Sequence, residues 1–303
     1  MIYNPKSGKQ TFTTHLDMIN KRLKKEGYIG HAIETKYHKH AIKIAQDIEK
    51  TPVDLLIIAG GDGTFNECLN GLMKHGKIPT LGYLPVGTSC DIAHTLGIPR
   101  NIHKALDLVF KGKHVMMDII KSNHGYFTYV AATGSYVDIS YQTPKKMKKR
   151  LGYIAYLLSG IKAFFTVPKM ALTIDTPTYK KKDTYTLILL TNSQKIARLT
   201  LVDRPVLDDG KIDLITFAYI PLLNNFMYAV KFLLNPKSLI GLKRIQASSG
   251  VIDMQEPYPW SQDGEAQGKG KLTFEVIQKK LPIVINPKRQ RYFLNQDKQE
   301  INE

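Results

Sequence analysis

The chain has 303 residues, of which 43% are hydrophobic and 23% are charged, a composition typical of a soluble globular protein with one large domain or two smaller ones. It contains no run of eighteen apolar residues, and no charged segment followed by an apolar stretch opens it, so the sequence supports neither a membrane span nor a signal peptide. Its formal net charge of +17 favours a polyanionic partner.

Residues 1–118 alternate short apolar runs with helical patterns, which predicts an α/β domain with a parallel sheet. The apolar runs predicted to be strands are residues 1–3, 32–36, 55–59 and 80–84. The predicted helices are residues 15–25, 40–50 and 66–74. Because the first run is short for a buried strand, we expect the natural protein to begin a few apolar residues earlier.

From about residue 118 the pattern becomes β-rich, which predicts a second, mainly antiparallel domain over residues 119–285. Its predicted strands are residues 126–132, 170–175, 185–191, 212–218 and 272–276. Two apolar helical stretches, residues 153–165 and 224–234, fit either buried core or the walls of a groove for an apolar ligand. We expect the last segment, residues 286–303, to pack back on the first domain.

A glycine-rich loop follows directly on the apolar run at residues 53–58, and it contains Gly61, Asp62, Gly63 and Thr64. Glycines let backbone N–H groups approach a ligand, and Thr64 stands where a helix is expected to begin, so the loop predicts a phosphate site. Asp62 is too acidic to bind phosphate directly, which favours a divalent cation between its carboxylate and the phosphate oxygens. A plain strand-to-helix turn is the alternative.

Neither of two familiar nucleotide motifs fits this region. The Walker A spacing fails around Gly8 because Tyr3 stands where its first glycine belongs. The dinucleotide fingerprint fails because Asn66 stands where its third glycine belongs. The loop is therefore a different kind of phosphate site.

Positive charge is clustered at residues 145–150, 180–182, 243–244 and 288–291. Such clusters attract polyanions, and without a motif of interleaved aromatic residues an anionic membrane surface is a better partner than nucleic acid. A solvated, solubilising face is the alternative. The only cysteines, Cys68 and Cys90, are expected to be free thiols of a cytoplasmic protein.

Three further segments join the glycine loop: Asn4-Pro5-Lys6-Ser7-Gly8, Gly87-Thr88-Ser89-Cys90-Asp91 and Gln262-Asp263-Gly264-Glu265. In this order and spacing, with Asn192-Ser193 and Asp209-Gly210, they resemble the diacylglycerol kinase catalytic domain, in particular the soluble bacterial lipid kinases of the diacylglycerol kinase B type. The resemblance implies a fold shared with the NAD kinases. It also implies an ATP site in the cleft between the α/β domain and the β-rich domain.

The resemblance assigns roles to individual residues. Those that would hold ATP are Asn4, Pro5, Lys6, Ser7, Gly8, Thr35, Gly61, Asp62, Gly63, Thr64, Phe65, Asn66, Glu67, Thr88 and Asp91. Glu265 would be the general base that takes the proton from a lipid hydroxyl, and Asp62 would join the Mg²⁺ and water network at the phosphates. Asp209, with the carbonyls of Val206 and Lys211, matches a structural Mg²⁺ site. Phosphoryl transfer needs such a cradle, metal and positioned hydroxyl rather than covalent chemistry.

The chain departs from the family pattern in two segments. Cys90 replaces an asparagine in the fourth-strand loop, and Gln194-Lys195 replace glycines that usually follow Asn192-Ser193. An amide that donates and accepts is thereby exchanged for a thiol that does neither well, and the second loop loses backbone freedom. Asp62, Asp209 and Glu265 are untouched, so we expect an active enzyme.

The sequence therefore predicts an ATP- and Mg²⁺-dependent kinase that phosphorylates diacylglycerol or a related lipid to a phosphatidic acid-type product. We expect it to be cytoplasmic, peripherally bound to anionic membranes and without a nucleic-acid partner; a homodimer is a possible assembly. One alternative is a kinase of the same fold acting on a sphingoid base or NAD. The other is a non-catalytic sensor of nucleotide or lipid.

Overall fold

The computed structural model describes residues 1–8, 10–50, 53–74, 77–134, 168–196, 199–202, 204–219 and 242–294. The predicted apolar helices at residues 153–165 and 224–234 and the basic cluster at residues 145–150 lie outside these ranges. Within them, no helix combines the length and the apolar character needed to cross a bilayer.

The first part of the chain alternates strands and helices. Its strands are β1 (Ile2–Tyr3), β2 (Ile33–Glu34), β3 (Leu55–Gly60) and β4 (Thr80–Pro85). Its helices are α1 (Leu16–Lys25), α2 (His40–Asp47), α3 (Asp62–Leu72), α4 (Asp91–Leu96) and α5 (Ile102–Lys111), with short 3₁₀ turns at Phe12–His15 and Ile48–Lys50. The strands pair in parallel in the order β2-β1-β3-β4, which confirms the predicted parallel α/β domain.

Burial explains these elements. β3 and β4 are buried along nearly their whole length, as expected of strands covered by helices on both faces. Helix α1 buries Ile19 and Leu23, four residues apart on one face, and exposes its lysines. Helix α3 begins at Asp62, so the prediction that a helix begins at Thr64 is wrong by two residues. The reason is that Gly61, in an extended conformation, already serves as the residue before the first helical turn.

The remaining strands are mostly antiparallel. They are β5 (Lys113–Ser122), β6 (Gly125–Phe127), β7 (Val130–Gly134), β8 (Met170–Thr176), β9 (Tyr179–Thr191), β10 (Lys195–Ile196), β11 (Leu199–Thr200), β12 (Ile212–Ala218), β13 (Leu242–Ala247), β14 (Ser249–Met254), β15 (Pro259–Gln262), β16 (Glu265–Lys269) and β17 (Leu272–Ile285). The predicted single strand over residues 126–132 is wrong, because Thr128 and Tyr129 turn their amides toward Asp263 and separate β6 from β7.

The long strand β17 joins the two parts of the fold into one sheet. It pairs in parallel with β4 through Ile283 and Leu81, and antiparallel with both β5 and β14. A boundary at residue 118 therefore falls within β5. After β17, a 3₁₀ turn at Pro287–Tyr292 returns to the first part of the chain, where the amide of Asn286 donates to the carbonyl of Leu96 at the end of α4 (3.1 Å).

Candidate active site

Three loops meet at the carboxyl ends of β1, β3 and β4, the edge of a parallel sheet where ligands bind. A Cβ added to Gly87 would lie 2.4 Å from the Cα of Gly61, so the third- and fourth-strand loops touch backbone to backbone. A Cβ added to Gly8 would lie 2.0 Å from the carbonyl oxygen of Val86, and Gly8 has a positive φ of 54°. Glycine is required at these positions, and the result is a cradle made of main chain.

Asn4 ties the first loop to helix α3. Its side-chain Nδ2 donates to Thr64 Oγ1 (3.2 Å), while its Oδ1 accepts from the amide of Lys6 (2.9 Å). The backbone N–H of Asn4 donates to the carbonyl of Ala59 at the end of β3 (2.9 Å). The side chain that the sequence assigned to nucleotide binding thus also fixes the shape of the loop.

Helix α3 offers an anion site at its first turn. It begins immediately after Gly61, and this glycine, the residue before the first turn, has no side chain with which to cap the helix. Free N–H groups and the helix dipole together make the start of a helix attractive to phosphate. The predicted nucleotide residues Gly61, Asp62, Gly63 and Thr64 all lie at this point.

Asp62 connects the starts of two helices. Its carboxylate accepts hydrogen bonds from the backbone N–H groups of Asp91 (3.1 Å) and Ile92 (3.3 Å) at the start of α4. Burial, followed by the charge of Asp91, raises the pKa of Asp62 to about 7. A cation bound at this carboxylate would oppose that shift, because it favours the ionised form. The contact with Mg²⁺ stays a prediction.

Glu265 reaches the first turn of α3 from the far end of the chain. It opens β16 and is paired with Gln262 across a two-residue turn, in which Asp263 and Gly264 have positive φ angles of 48° and 85°. Two such residues form the type I′ turn that suits a tight hairpin. A Cβ added to Gly63 would lie 2.3 Å from Glu265 Oε1, so the carboxylate packs directly on this glycine. The predicted base and the predicted phosphate loop are therefore in contact.

Asp263 is a buried acid beside Glu265 to which the sequence analysis assigned no role. It is 1% exposed and accepts hydrogen bonds from the side chains of Asn66 and Thr128 and from the amides of Thr128, Tyr129 and Val130. Asn66 belongs to α3, the amides of Thr128 and Tyr129 lie in the bend between β6 and β7, and that of Val130 begins β7. The Asp-Gly pair between two strands is a recognisable hairpin signal, but nothing in the sequence marks its carboxylate as buried.

Glu67 and Thr35 lie beside the cradle on the β2 side. Glu67 accepts hydrogen bonds from the amides of Lys39 (2.9 Å) and Ala41 (3.3 Å), so it caps the start of α2 from α3. Thr35 is buried, and its amide donates to the carbonyl of Tyr3 (2.9 Å). Both predicted nucleotide residues therefore support the loops around the cradle.

Arg100 holds the fourth-strand loop and was not predicted. Its Nη2 donates to the carbonyls of Thr88 (2.7 Å) and Ser89 (2.5 Å). In the same loop Cys90 has a positive φ of 52°, a conformation that asparagine tolerates better than cysteine. The departure from the family pattern thus falls where the backbone is strained.

The predicted structural metal site lies between β11 and β12. Asp209 Oδ1 accepts from the amide of Lys211 (3.0 Å), and the nearby Asp118 accepts from the amides of Gly210 and Lys279 (both 2.7 Å). Burial, and then the charges of Asp209 and Asp208, raise the pKa of Asp118 to about 6. Crowded carboxylate oxygens are the ligand type that Mg²⁺ prefers.

That site depends on backbone oxygens as well as carboxylates. Among the described residues, no group of three His, Cys, Asp or Glu side chains is arranged to hold a metal ion. A Mg²⁺ ion at Asp209 would therefore need the carbonyls of Val206 and Lys211, as the resemblance implies. Carboxylate and carbonyl oxygens are donors of the type that Mg²⁺ prefers, and its presence stays a prediction.

Two of the predicted basic clusters are partly neutralised. Lys180 and Lys181 pair with Asp175 and Asp183, each at 2.6 Å. Arg244 makes a two-pronged contact with Asp213 at 2.7 and 2.9 Å. These ion pairs leave the two clusters with less positive charge to offer an anionic surface than their numbers of lysine and arginine suggest.

Comparison with known proteins gives a consistent result. Residues 1–122 match the family model described as the diacylglycerol kinase catalytic domain. The diacylglycerol kinase of Bacillus subtilis (strain 168) is 32% identical over 292 residues, covering 94% of this chain and 95% of the relative. That of Staphylococcus carnosus (strain TM300) is 31% identical over 290 residues, covering 93% of each.

Solved structures agree with the sequence comparison. The crystal structure of a diacylglycerol kinase from Bacillus anthracis str. Sterne aligns with a TM-score of 0.72 and 25% identity, covering 95% of this chain and 96% of that one. Another crystal structure from the same organism aligns with a TM-score of 0.81 and 28% identity, covering 95% and 94%. The expected fold, an α/β domain with a parallel sheet followed by a β-rich antiparallel part, is confirmed.

Proposed function

The chain belongs to the diacylglycerol kinase catalytic domain family and is a kinase with a hydroxyl acceptor, and from this premise we propose that it transfers the γ-phosphoryl group of ATP, with Mg²⁺, to diacylglycerol or a related lipid. The product is then a phosphatidic acid-type lipid. The observation that carries the proposal is the packing of the Glu265 carboxylate against Gly63 in the first turn of α3. It combines a proton acceptor with an anion site.

The main-chain cradle is where we propose that the triphosphate binds. Its glycines leave the space that a Cβ would fill, and the first amides of α3 would stabilise the negative charge of phosphate oxygens bound there. Mg²⁺, when bound, would neutralise charge on the phosphate oxygens, and Asp62 is the carboxylate of the cradle suited to hold it. Thr88 and Asp91 would complete the nucleotide side from the α4 loop.

Glu265 supplies the acid–base step in this proposal. The lipid hydroxyl lies between Glu265 and the γ-phosphate, and its oxygen forms the new P–O bond as the bond from the γ-phosphorus to the β–γ bridging oxygen breaks. The hydroxyl proton passes to the Glu265 carboxylate late in this displacement, and ADP leaves. Orientation of the hydroxyl is the larger part of what the carboxylate contributes.

The lipid acceptor suggests a peripheral membrane enzyme of the cytoplasm. We propose that the cluster at residues 145–150, outside the described residues, draws the protein to anionic bilayers, with about 1 kcal/mol for each well-placed cation. Such binding weakens with salt. Co-sedimentation with anionic liposomes that is equal at low and high salt would contradict this.

The test of the function is product identification. The protein is incubated with radiolabelled ATP, Mg²⁺ and mixed micelles containing in turn diacylglycerol, monoacylglycerol, ceramide, a sphingoid base or, without lipid, NAD. We expect label in a phosphatidic acid-type product, no product after chelation of Mg²⁺, and no labelled NADP. Label only in the sphingoid base or NAD would support another kinase of this fold, and label in none of them would support the sensor alternative.

A further inference from the structure

We infer that Asp263 is a positioning residue for the phosphoryl transfer: its buried carboxylate holds the hairpin that presents Glu265 and locks it to helix α3. This inference rests on the proposed role of Glu265 as the base. Asp263 is neither part of the glycine loop that would bind phosphate nor the group that would take the proton from the lipid hydroxyl. The contacts of one carboxylate carry it.

Both oxygens of the Asp263 carboxylate accept hydrogen bonds from neighbouring parts of the fold. Oδ1 accepts from the amides of Tyr129 (3.0 Å) and Val130 (3.1 Å). Oδ2 accepts from the amide of Thr128 (2.9 Å), its hydroxyl (3.2 Å) and Asn66 Nδ2 (3.0 Å). Three consecutive amides wrapped around one carboxylate form an anion nest, filled here by a side chain.

Charge explains why an acid is needed there. Burial raises the pKa of Asp263, while the amides of Tyr129 and Thr128 and the Asn66 side chain oppose that rise. A carboxylate has lone pairs for several donors, whereas an amide has one acceptor oxygen and brings donors of its own. An asparagine at this position would place its NH₂ donor against the N–H donors of the nest.

The same residue sets the direction of Glu265. Asp263 and Gly264 are the two turn residues, both with positive φ, and Glu265 follows immediately. The amide of Asp263 also donates to the carbonyl of Val130 (2.8 Å), so main chain and side chain are both anchored to the bend between β6 and β7. The turn cannot shift without breaking these contacts.

Asn66 extends the lock to the phosphate side. Its Nδ2 donates to Asp263 and also to the carbonyl of Tyr126 (2.9 Å), which joins α3 to the bend and to the hairpin at one point. The base therefore keeps its distance from Gly63 through a short chain of buried hydrogen bonds. A displacement of 1 Å at a reacting group costs on the order of 100-fold in rate.

The experiment is a double-mutant cycle on the full chain, with turnover measured on diacylglycerol in mixed micelles and ATP affinity measured separately by titration. We expect Asp263→Asn to lower kcat about 100-fold while the Kd for ATP stays within about threefold. In the Glu265→Gln background, the same change should lower the residual kcat less than about threefold, because the base that it positions is already gone.

The cycle distinguishes a positioning role of Asp263 from a merely structural one, because only a positioning role depends on the presence of Glu265. An equal loss of kcat from Asp263→Asn in both backgrounds, or no loss in the wild type, overturns the inference. Full activity of Glu265→Gln instead overturns the proposed base, which is a different failure. If Asp263→Asn does not fold, Asn66→Ala replaces it in the same cycle. We then expect Asn66→Ala to lower kcat about tenfold in the wild-type background and to leave the residual kcat of Glu265→Gln nearly unchanged.

A control for the chemistry of the substitution comes from Asn123, an exposed asparagine. Its amide also makes two hydrogen bonds, donating to the carbonyl of Lys271 and accepting from the amide of Thr273 (both 2.9 Å), but neither partner belongs to α3 or the hairpin. Asn123→Ala should leave kcat within about twofold. A loss equal to that of Asn66→Ala would show that the loss of kcat does not depend on contact with α3 or the hairpin, and would overturn the inference.

Discussion

Replacing Gly63 by alanine separates catalysis from stability at the contact on which the site depends. The added Cβ would lie 2.3 Å from Glu265 Oε1 and 3.1 Å from its Cδ. Since carbon contacts settle near 3.5 Å or more, the carboxylate has to withdraw by roughly 1 Å. It can do so cheaply, because it is the end of a flexible side chain.

The two expected effects have opposite signs. Alanine in a helix is favoured over glycine by up to about 1 kcal/mol, so Gly63→Ala should keep or slightly raise the free energy of unfolding. Displacing the base by about 1 Å should lower kcat on the order of 100-fold. Turnover on diacylglycerol and urea unfolding measure the two effects on the same preparation.

Gly71→Ala in the same helix is the control. Its Cβ would lie 2.5 Å from the carbonyl oxygen of Ile42 and 2.6 Å from the Cβ of Ala45, which are parts of α2 that cannot rotate away. We expect a loss of about 1–3 kcal/mol in unfolding free energy and nearly normal kcat for the folded protein. A Gly63→Ala enzyme that retains wild-type kcat would refute the view that Glu265 acts from its place on Gly63.

Three further predictions concern two buried acids, the strained Cys90 and the Arg100 contact with the fourth-strand loop. In the protein without ligands, burial raises the pKa of Asp62 to about 7 and that of Asp118 to about 6, above the usual 3.8. At these two groups the native state then holds protons that the unfolded chain has released, so their contribution to the free energy of unfolding falls as pH rises from about 4 to about 7. Asp62→Asn should flatten this slope in urea titrations, and an unchanged slope would count against the buried acid. Cys90→Asn should raise the unfolding free energy by about 1 kcal/mol, since asparagine tolerates a positive φ, and a decrease in urea stability would argue against strain there. Arg100→Ala should raise the KM for ATP about three- to tenfold with kcat nearly unchanged, because the Thr88 loop loses its clamp; an unaltered KM would remove Arg100 from the account.

The sequence predicts those parts of the fold in which local pattern and tertiary environment agree. β3 is a short apolar run that ends at glycines, and this length and flanking indicate a buried strand rather than a helix. β17 was predicted only over residues 272–276, yet it continues to Ile285. Its register shifts between Ile277 and Leu281, and Lys279 takes a positive φ of 49°, so the polar stretch there hides the strand.

The site was predictable as a set of motifs but not as a network. The glycine loop stands out in the sequence because glycines follow directly on a buried apolar run, whereas the role of Glu265 comes from the resemblance of the motifs, in their order and spacing, to a known family. Asp263 does not stand out, because an acid in a tight turn is usually exposed and its donors come from residues 128–130, more than a hundred positions earlier. In the same way, no residue adjacent to Asp62 in the sequence predicts that its carboxylate accepts hydrogen bonds from the backbone N–H groups of Asp91 and Ile92.

The central claim is that Glu265 is the base of a lipid kinase whose phosphate cradle lies against it. The most direct measurement is kcat on diacylglycerol for wild type and Glu265→Gln, with ATP binding titrated for both. The account predicts that Glu265→Gln binds ATP with an unchanged Kd and loses at least about 100-fold in kcat, which is the scale of general base catalysis. Turnover at the wild-type rate in Glu265→Gln would contradict it.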